Sequence, residues 1–297
     1  MIAGLEKYRQ LRIGFIGAGQ LAVPLAWSLS RVGYLVAGAV GRSQASAQKL
    51  ASGIAGARVY ASAQALADDT DLVIVAVPDD SIAPVAQALS WRKQHSVIHC
   101  SGATEVSALA AAADQGAAIG GFHPLQTFTN TEAAIATLPG CTAGIEAEEE
   151  SLLNLLWAMA QALGCHPIRL PPGSRALYHA SGSFAASFLV ALINDALTLW
   201  SAFGIDREDA FRALLPLTKG TVAALEANGP IMSLAGPLAR ADAGTVERHL
   251  AALRAQAPHL LPTYLDLARR SLPISQAKGG ASPEKLAALK ALLDKAG

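Results

Sequence analysis

The residues best suited to proton transfer are two histidines next to predicted secondary-structure boundaries. His123 follows an apolar run that ends at Phe122, and His179 stands beside Tyr178 near the start of a predicted helix. An imidazole changes protonation near neutral pH, so either histidine could supply the proton that a carbonyl needs on reduction. The open alternative for His123 is a structural hydrogen bond that shapes the loop before Pro124. The same alternative stays open for His179.

A glycine turn near the N-terminus predicts where a dinucleotide would bind. Gly17 and Gly19 separate an apolar run at residues 13–16 from a helical pattern that begins near Leu21. Strand, glycine turn and helix form the context that gives such a motif meaning. Gly17 allows the tight turn, and Gly19 lets the backbone approach a pyrophosphate. The helix start at Gln20 and Leu21 would supply free N–H groups. The alternative is a purely structural turn.

The residues that follow the second predicted strand indicate which dinucleotide the site would bind. Residues 34–40 form this strand, and Arg42 and Ser43 follow it directly. A site that prefers NAD places a carboxylate here to bind the ribose 2′-hydroxyl, and none is present. A guanidinium and a hydroxyl instead suit a 2′-phosphate. We therefore predict NADP(H) as the cofactor, with an ordinary solvated arginine as the alternative.

Later strands end at residues that should surround the reacting part of the cofactor. The run at residues 71–78 ends in Val77 and Pro78, and the strand at 96–99 precedes Ser101. In an open parallel sheet ligands bind off the carboxyl ends of the strands, so we predict that Val77, Pro78 and Ser101 border the nicotinamide ribose. His99 and Cys100 weakly suggest a thiol nucleophile, but no third orienting residue accompanies them. No local spacing supports a metal site, and we predict none.

The positions of these residues depend on two predicted domains. Strand and helix patterns alternate up to Pro171-Pro172-Gly173, and beyond this linker every pattern is helical. We predict an α/β fold, with a Rossmann-like, mostly parallel sheet domain at residues 1–170 and an all-α domain at 171–297. The predicted helices of the second domain lie at 174–203, 206–227, 244–256, 260–270 and 282–295.

Two features of the helical domain bear on ligands and partners. The predicted helix at 174–203 is apolar nearly all round, so it is enclosed by other helices or lies in a dimer interface. Arg240 stands in a glycine- and proline-rich loop and could bind a substrate carboxylate. The alternative is that Arg240 and Asp242 pair with each other or cap the next helix.

Composition narrows the class of protein. The 297 residues are 52% hydrophobic, with 23 basic and 23 acidic residues, so charge favours neither nucleic acid nor an anionic membrane. The longest apolar stretch, at 183–200, carries Asn194 and Asp195, and we expect a buried helix rather than a membrane span. Three widely spaced cysteines and no visible secretory signal predict a cytoplasmic protein.

Together these residues resemble a known family. The chain is similar to a family of proposed NADP oxidoreductases that pairs a Rossmann-like N-terminal domain with a C-terminal helical domain of unknown function. The segments that carry the resemblance run through nearly the whole chain: IGAGQLA at 16–22, GRS at 41–43, VAVPDDSI at 75–82, HCSGA at 99–103, FHPLQTF at 122–128, YHASGSFAASFLVAL at 178–192 and GPLARADAGTVERHLAAL at 236–253.

The resemblance implies a function. The family looks related to ketopantoate reductase, pyrroline-5-carboxylate reductase and the β-hydroxyacid dehydrogenases. It implies NADP(H)-dependent hydride transfer to or from a small carbonyl, hydroxy acid or imine in an interdomain cleft, with ketopantoate as one possible substrate. It also implies a homodimer built through the helical domain. The reverse, oxidative direction stays open.

One departure affects catalysis. β-Hydroxyacid dehydrogenases and ketopantoate reductases carry Lys-x-x-x-Asn on the first long helix of the second domain. Ser183 and Ser187 stand at those positions here. The proton donor would then be His123, Tyr178, His179 or Ser183, or the chemistry differs. The candidate residues for binding substrate are Tyr178, Ser187 and Arg240. The alternative function is a non-catalytic dinucleotide-binding sensor or regulatory protein.

Overall fold

The structure, a computed structural model, describes residues 6–297. The chain forms two compact units, and the division falls between Ala186 and Ser187. The change of sequence pattern predicts a domain boundary earlier, between residues 170 and 171. The helix between these two points, Arg175–Ala185, belongs to the compact unit that contains the sheet.

The first unit is built on one eight-stranded sheet. Its strands lie in the order β3-β2-β1-β4-β5-β6-β7-β8. All neighbours pair in parallel except β6 and β7, which are antiparallel. The strands are β1 Arg12–Ile16, β2 Leu35–Val40, β3 Arg58–Val59, β4 Leu72–Val75, β5 Ser96–His99, β6 Ala118–Leu125, β7 Thr142–Ala147 and β8 His166–Arg169. The Rossmann-like, mostly parallel prediction is confirmed.

Helices surround this sheet and form the second unit. Those of the first unit are α1 Glu6–Arg9, α2 Ala22–Arg31, α3 Gln44–Ser52, α4 Ala63–Asp68, α5 Ile82–Gln87, α6 Ala110–Ala113, α7 Thr131–Thr137, α8 Glu150–Ala162 and α9 Arg175–Ala185. Those of the second unit are α10 Ser187–Ser201, α11 Arg207–Ser233, α12 Gly236–Ala239, α13 Ala243–Gln256, α14 Leu261–Lys278 and α15 Pro283–Ala296.

The sheet separates two hydrophobic cores because side chains alternate along a strand. Ile74 and Ile98 belong to one core, and their neighbours Val73, Val75 and Val97 belong to the other. All five side chains are fully buried. This burial on both faces explains why β4 and β5 are continuous apolar runs in the sequence.

The second unit has its own smaller core. Val246 and Leu250 of α13 pack with Leu265 of α14 and with Leu289 and Leu293 of α15. Large apolar side chains of α10 and α11 remain exposed instead, including Val190 at 71% and Leu217 at 68%.

Three predicted helix boundaries are wrong. The predicted helix 174–203 is interrupted at Ala186, where φ is −123° and ψ is −69°. α11 runs on to Ser233 across a kink at Gly229, whose φ is +71°. α14 continues through Pro273 to Lys278, because its packing in the helical core outweighs the hydrogen bond that proline removes.

One segment passes a length and composition test for a membrane span. Arg175–Ser201, which comprises α9 and α10, has a mean hydropathy of 1.5 over its most apolar part. A single segment of this kind is weak evidence, because core helices pass the same test. None of that apolar part is buried in the structure, so the expectation of a buried helix at 183–200 is wrong.

Candidate functional site

A cavity lies at the point in the sheet where the order of the strands reverses. β1 has β2 on one side and β4 on the other, so the chain after β3 returns across β1 to form β4. Ligands of open α/β sheets bind at the carboxyl ends of the strands at such a switch point. Here a cavity of about 500 Å³ is lined by Gly17, Gly19, Arg42, Val77 and Pro78, among other residues. With Ser43, which also lines it, the cavity brings together six of the residues predicted to bind the cofactor.

The two glycines of the turn have different structural roles. Gly17 has a φ of +100°, and a Cβ at this position would lie 2.2 Å from the carbonyl oxygen of Ala76. Any side chain there would collide with the chain after β4. A Cβ on Gly19 would meet nothing within 4 Å, so the backbone at Gly19 is open. A turn that is tight at Gly17 and open at Gly19 fits a pyrophosphate next to the backbone.

The start of α3 presents polar groups to the same cavity. Ser43 is the N-cap of α3, where its hydroxyl accepts from the backbone N–H of Ser46 at 3.4 Å. The Ser46 hydroxyl donates to the carbonyl oxygen of Ser43 at 2.9 Å. Arg42, Ser43 and Ser46 all line the cavity. Ser46 was missed by sequence reasoning, although the Ser-x-x-Ser spacing is typical of a helix N-terminus.

Three other predicted cofactor residues do not line this cavity. Gln20 and Leu21 occupy the turn before α2, but neither lines the cavity. Ser101 does not line it either. Its hydroxyl donates to Asp79 Oδ2 at 2.8 Å and accepts from the backbone N–H of Thr104 at 2.9 Å. Ser101 thus joins the turns that follow β4 and β5.

His123 and Tyr178 form the centre of a second polar cluster in the first unit. His123 lies inside β6, opposite Gly144 of β7. Its Nδ1 is 3.0 Å from the Tyr178 hydroxyl, which also lies 3.3 Å from the His123 carbonyl oxygen. His179 stacks edge-on against His123, with ring centroids 5.8 Å apart. The three residues that the sequence singled out for proton transfer and substrate binding are therefore neighbours.

Gly102 allows these rings to approach the loop after β5. A Cβ on Gly102 would lie 2.5 Å from His179 Cδ2 and 2.7 Å from His123 Nε2. Both imidazoles therefore pack directly on the backbone of Gly102. Sequence reasoning did not identify this residue, because its neighbours are distant in the chain.

Burial sets the protonation of the cluster. Desolvation lowers the pKa of His123 to about 4, and the charges of His179 and Arg175 lower it further, against the opposing effect of Asp79. At neutral pH the ring is uncharged. Burial raises the pKa of Tyr178 to about 12, although the Arg175 charge opposes this change. The pair is thus neutral and hydrogen-bonded, and the hydroxyl fixes the orientation of the imidazole.

The thiol and metal hypotheses find no support among the described residues. Cys100 is buried, and burial raises the pKa of its thiol to about 12, which disfavours the reactive thiolate. His99 is fully buried, and its Nδ1 accepts from the backbone N–H of Ser101 at 3.2 Å. Within residues 6–297, no group of three or more His, Cys, Asp or Glu side chains could hold a metal ion.

The remaining predicted residues are divided between the two units. Ser183 lies on α9 four residues after His179, a spacing that places both on one face of that helix. Ser187 begins α10 in the second unit, beyond the break at Ala186. The two positions therefore do not share one continuous helix. Arg240 is the C-cap residue that follows α12 in the second unit, and Asp242 caps α13 by accepting from the N–H of Thr245 at 3.0 Å.

The families that match the chain agree with this architecture. Residues 3–124 match the Rossmann-like domain family, and residues 141–271 match a domain of unknown function, DUF2520. The chain thus combines a Rossmann-like N-terminal domain with a DUF2520 C-terminal domain. No curated protein matches it.

Solved structures share the fold over nearly the whole chain. A Bacteroides fragilis protein provisionally named an NADP oxidoreductase is 24% identical, with a TM-score of 0.71 over 89% of this chain and 98% of that one. An Aspergillus terreus reductive aminase solved with NADPH and ethyl levulinate is 17% identical, with a TM-score of 0.64 over 96% and 99%. Plasmodium falciparum pyrroline carboxylate reductase with NADP bound is 14% identical, with a TM-score of 0.60 over 97% of each chain.

Proposed function

We propose that this protein is an NADP(H)-dependent oxidoreductase acting on a small carbonyl, hydroxy acid or imine. The observation that carries the proposal is the cavity at the switch point, where Gly17, Gly19, Arg42 and Ser43 meet. The fold is shared with reductases solved with NADPH or NADP, which adds support. A ketopantoate-like 2-oxo acid and a cyclic imine are both candidate substrates.

The residues present fit this cofactor. The open backbone at Gly19 and the start of α2 would hold the pyrophosphate. Arg42 and Ser43 would hold the 2′-phosphate, because a guanidinium and a helix N-terminus both bind phosphate. Val77 and Pro78 would border the sugar next to the nicotinamide. When bound, the cofactor supplies or accepts a hydride.

The proton would be exchanged at His123. The acid would be the imidazolium form of His123, which donates its Nε2 hydrogen to the substrate while Nδ1–H stays bonded to the Tyr178 hydroxyl, and in the reverse direction the neutral ring would accept that hydrogen at Nε2. With a pKa of about 4, the ring is mainly neutral above pH 5. We therefore expect reduction of a carbonyl to speed up as the pH falls towards 4, whereas oxidation of the alcohol should speed up as the pH rises through 4 and level off above about pH 5.

Cofactor titration tests the proposed preference for NADP(H). Wild-type protein should bind NADPH more tightly than NADH, and Arg42→Ala should weaken NADPH by about 10- to 100-fold while leaving NADH unchanged. Arg31→Ala, at an exposed arginine that ends α2, is the matched control and should bind as wild type. Equal affinity for NADH and NADPH would contradict the role of Arg42.

A turnover assay tests the proposed reaction and the role of His123 in it. NADPH consumption would be followed with 2-oxo acids, ketopantoate and cyclic imines. His123→Ala should lower turnover by about 100-fold or more with NADPH affinity intact, whereas His166→Ala, at an exposed histidine on β8, should not. Unchanged turnover in His123→Ala would remove His123 from the mechanism.

A non-catalytic dinucleotide sensor is the second candidate. Serines stand at both positions where related reductases carry lysine and asparagine, and this observation favours a protein without turnover. Tight NADPH binding without consumption on any compound of the panel would support the sensor.

We propose that the protein forms a homodimer through the helical unit. Val190 on α10 and Leu217 and Val222 on α11 are more than half exposed, and such an apolar surface commonly marks an interface. A second copy suits this surface, because α10 carries a single charged residue, Asp195. Light scattering should show a dimer, and Val190→Asp should dissociate it. Leu35→Asp, at a 52% exposed leucine of the first unit, is the control. A wild-type monomer would refute the proposal.

We also propose a cytoplasmic location. Cys100, Cys141 and Cys165 are free and buried, and free thiols fit a reducing compartment. Cell fractionation with a tagged chain tests this, and recovery in a membrane or secreted fraction would contradict it.

A further inference from the structure

Arg175 is a buried cation that the proposed chemistry does not use. It is the first residue of α9, and its side chain is the largest among those that are fully buried. A charged group in such a place needs compensating contacts, because leaving water is costly. Those contacts connect the elements that carry the His123 cluster.

The guanidinium joins two strands and the loop after a third. Its Nε donates to Glu146 Oε2 of β7 at 2.6 Å, and its Nη1 donates to the carbonyl oxygen of Ser101 at 2.8 Å. It also lies against Gly121 of β6, where a Cβ would be only 1.8 Å from Nη2. No residue other than glycine could occupy position 121 without displacing the arginine.

The backbone at the start of α9 is fixed to the same loop region. Glu105 accepts from the backbone N–H of Gly173 at 3.1 Å and from that of Arg175 at 3.2 Å. A carboxylate at a helix N-terminus is favourable because it meets unpaired N–H groups and the positive end of the helix dipole. The side chain of Arg175 and the carboxylate of Glu105 therefore both fix the position of the first turn of α9.

We propose that Arg175 is a positioning residue that sets how Tyr178, His179 and the backbone of Gly102 close around His123. The proposal rests on the proposed function, since it assigns importance to His123. Tyr178 follows Arg175 by three residues and His179 by four on the same helix. Gly102 follows Ser101, whose carbonyl oxygen the guanidinium binds. A change at Arg175 thus displaces both sides of the cluster.

The same cation acts on the cluster through its charge. Arg175 lowers the pKa of both His99 and His123, in addition to the larger effect of burial. The groups that face His123 are Tyr178 and His179 from α9, Arg175 at the start of α9, Asp79 from the turn after β4, and His99 from β5. Removing the charge of Arg175 should raise the midpoint at which His123 titrates.

Two variants separate position from charge. Arg175→Lys keeps the cation and loses the planar fork, so His123 should still titrate near pH 4, but turnover should fall by about tenfold or more. The double variant Arg175→Met with Glu146→Met removes the ion pair without leaving a buried charge unpaired, so it should remain folded. In this double variant the pH midpoint at which His123 titrates should rise. Arg169→Met, at an exposed arginine on β8, is the matched control.

The midpoint is measured from the imidazole signals in a pH series of ¹H–¹⁵N spectra, with His123→Gln used for assignment. An unchanged midpoint in the folded double variant, or wild-type turnover in Arg175→Lys, would overturn the proposal. Because the spectra need no cofactor, they still test Arg175 if the wild type neither binds NADPH nor turns over. That result would refute the proposed function alone.

Discussion

Gly102→Ala tests whether the placement of the two histidines matters. The added methyl would lie 2.5 Å from His179 Cδ2 and 2.7 Å from His123 Nε2. Carbon atoms in ordinary contact are about 3.5 Å apart, so each ring must retreat by about 1 Å. The backbone of Gly102 does not have a positive φ, so an alanine can adopt it without strain. The substitution therefore changes the contacts of the two imidazole rings with position 102 and leaves the backbone conformation there unchanged.

The two rings should respond differently. His179 is exposed and can rotate into solvent, whereas His123 is held by its 3.0 Å hydrogen bond to Tyr178. We expect that bond to lengthen or break. The free energy of unfolding should fall by about 1–3 kcal/mol, which is typical of overpacking. Turnover should fall by about 100-fold, because a displacement of about 1 Å at a reacting group has an effect of that size.

The assay combines NADPH consumption, NADPH titration and urea unfolding. The affinity for NADPH should be unchanged, because Gly102 does not line the cavity around Gly17. Gly220→Ala is the matched control, since a Cβ at this position in α11 meets nothing within 4 Å. Wild-type turnover by a folded Gly102→Ala protein would refute the argument that the position of His123 controls the reaction.

Three further predictions follow from the first unit. Folded His99 and His123 titrate near pH 4 rather than near 6.5, so the stability that their neutral burial provides is complete above about pH 6.5 and is lost as the pH falls towards 4. Urea unfolding between pH 7 and 4.5 should show a loss of up to about 2.5 kcal/mol per histidine, and replacing His99 by Asn should reduce the slope of stability against pH. Gly17→Ala should cost about 1–3 kcal/mol and abolish detectable NADPH binding in titrations, since φ is +100° there. Glu146→Ala should destabilise the fold by about 3–5 kcal/mol in thermal or urea unfolding, because it leaves the buried Arg175 unpaired; a loss below 1 kcal/mol would contradict this.

Local patterns predicted most of the sheet. β4 and β5 were recognisable because both faces of each strand are buried, which makes their sequences continuously apolar. Helix ends in the second unit were harder to predict. The helix predicted to end at residue 270 continues through Pro273 to Lys278, because the packing of α14 against the neighbouring helices outweighs the low helix propensity of proline.

The cavity proposed for the cofactor was largely predictable for a related reason. Gly17, Arg42 and Pro78 each follow a strand, and parallel strands bring their carboxyl ends to one edge. One exception is Ser101, which also follows a strand but is bound to Asp79 instead of lining the cavity. A strand end gives the edge of the sheet at which a residue lies, but the direction of its side chain depends on the loop.

The sequence by itself determined the class of fold and the place of the glycine turn. Both depend on interactions among residues close in the chain, namely alternation along strands and the conformational freedom of Gly17. Only the tertiary structure decided the environment of His123. Its partners Tyr178, Gly102 and Arg175 come from α9 and from the loop after β5. No periodicity records such contacts, because they form only when β5, β6, β7 and α9 are assembled around one buried charge.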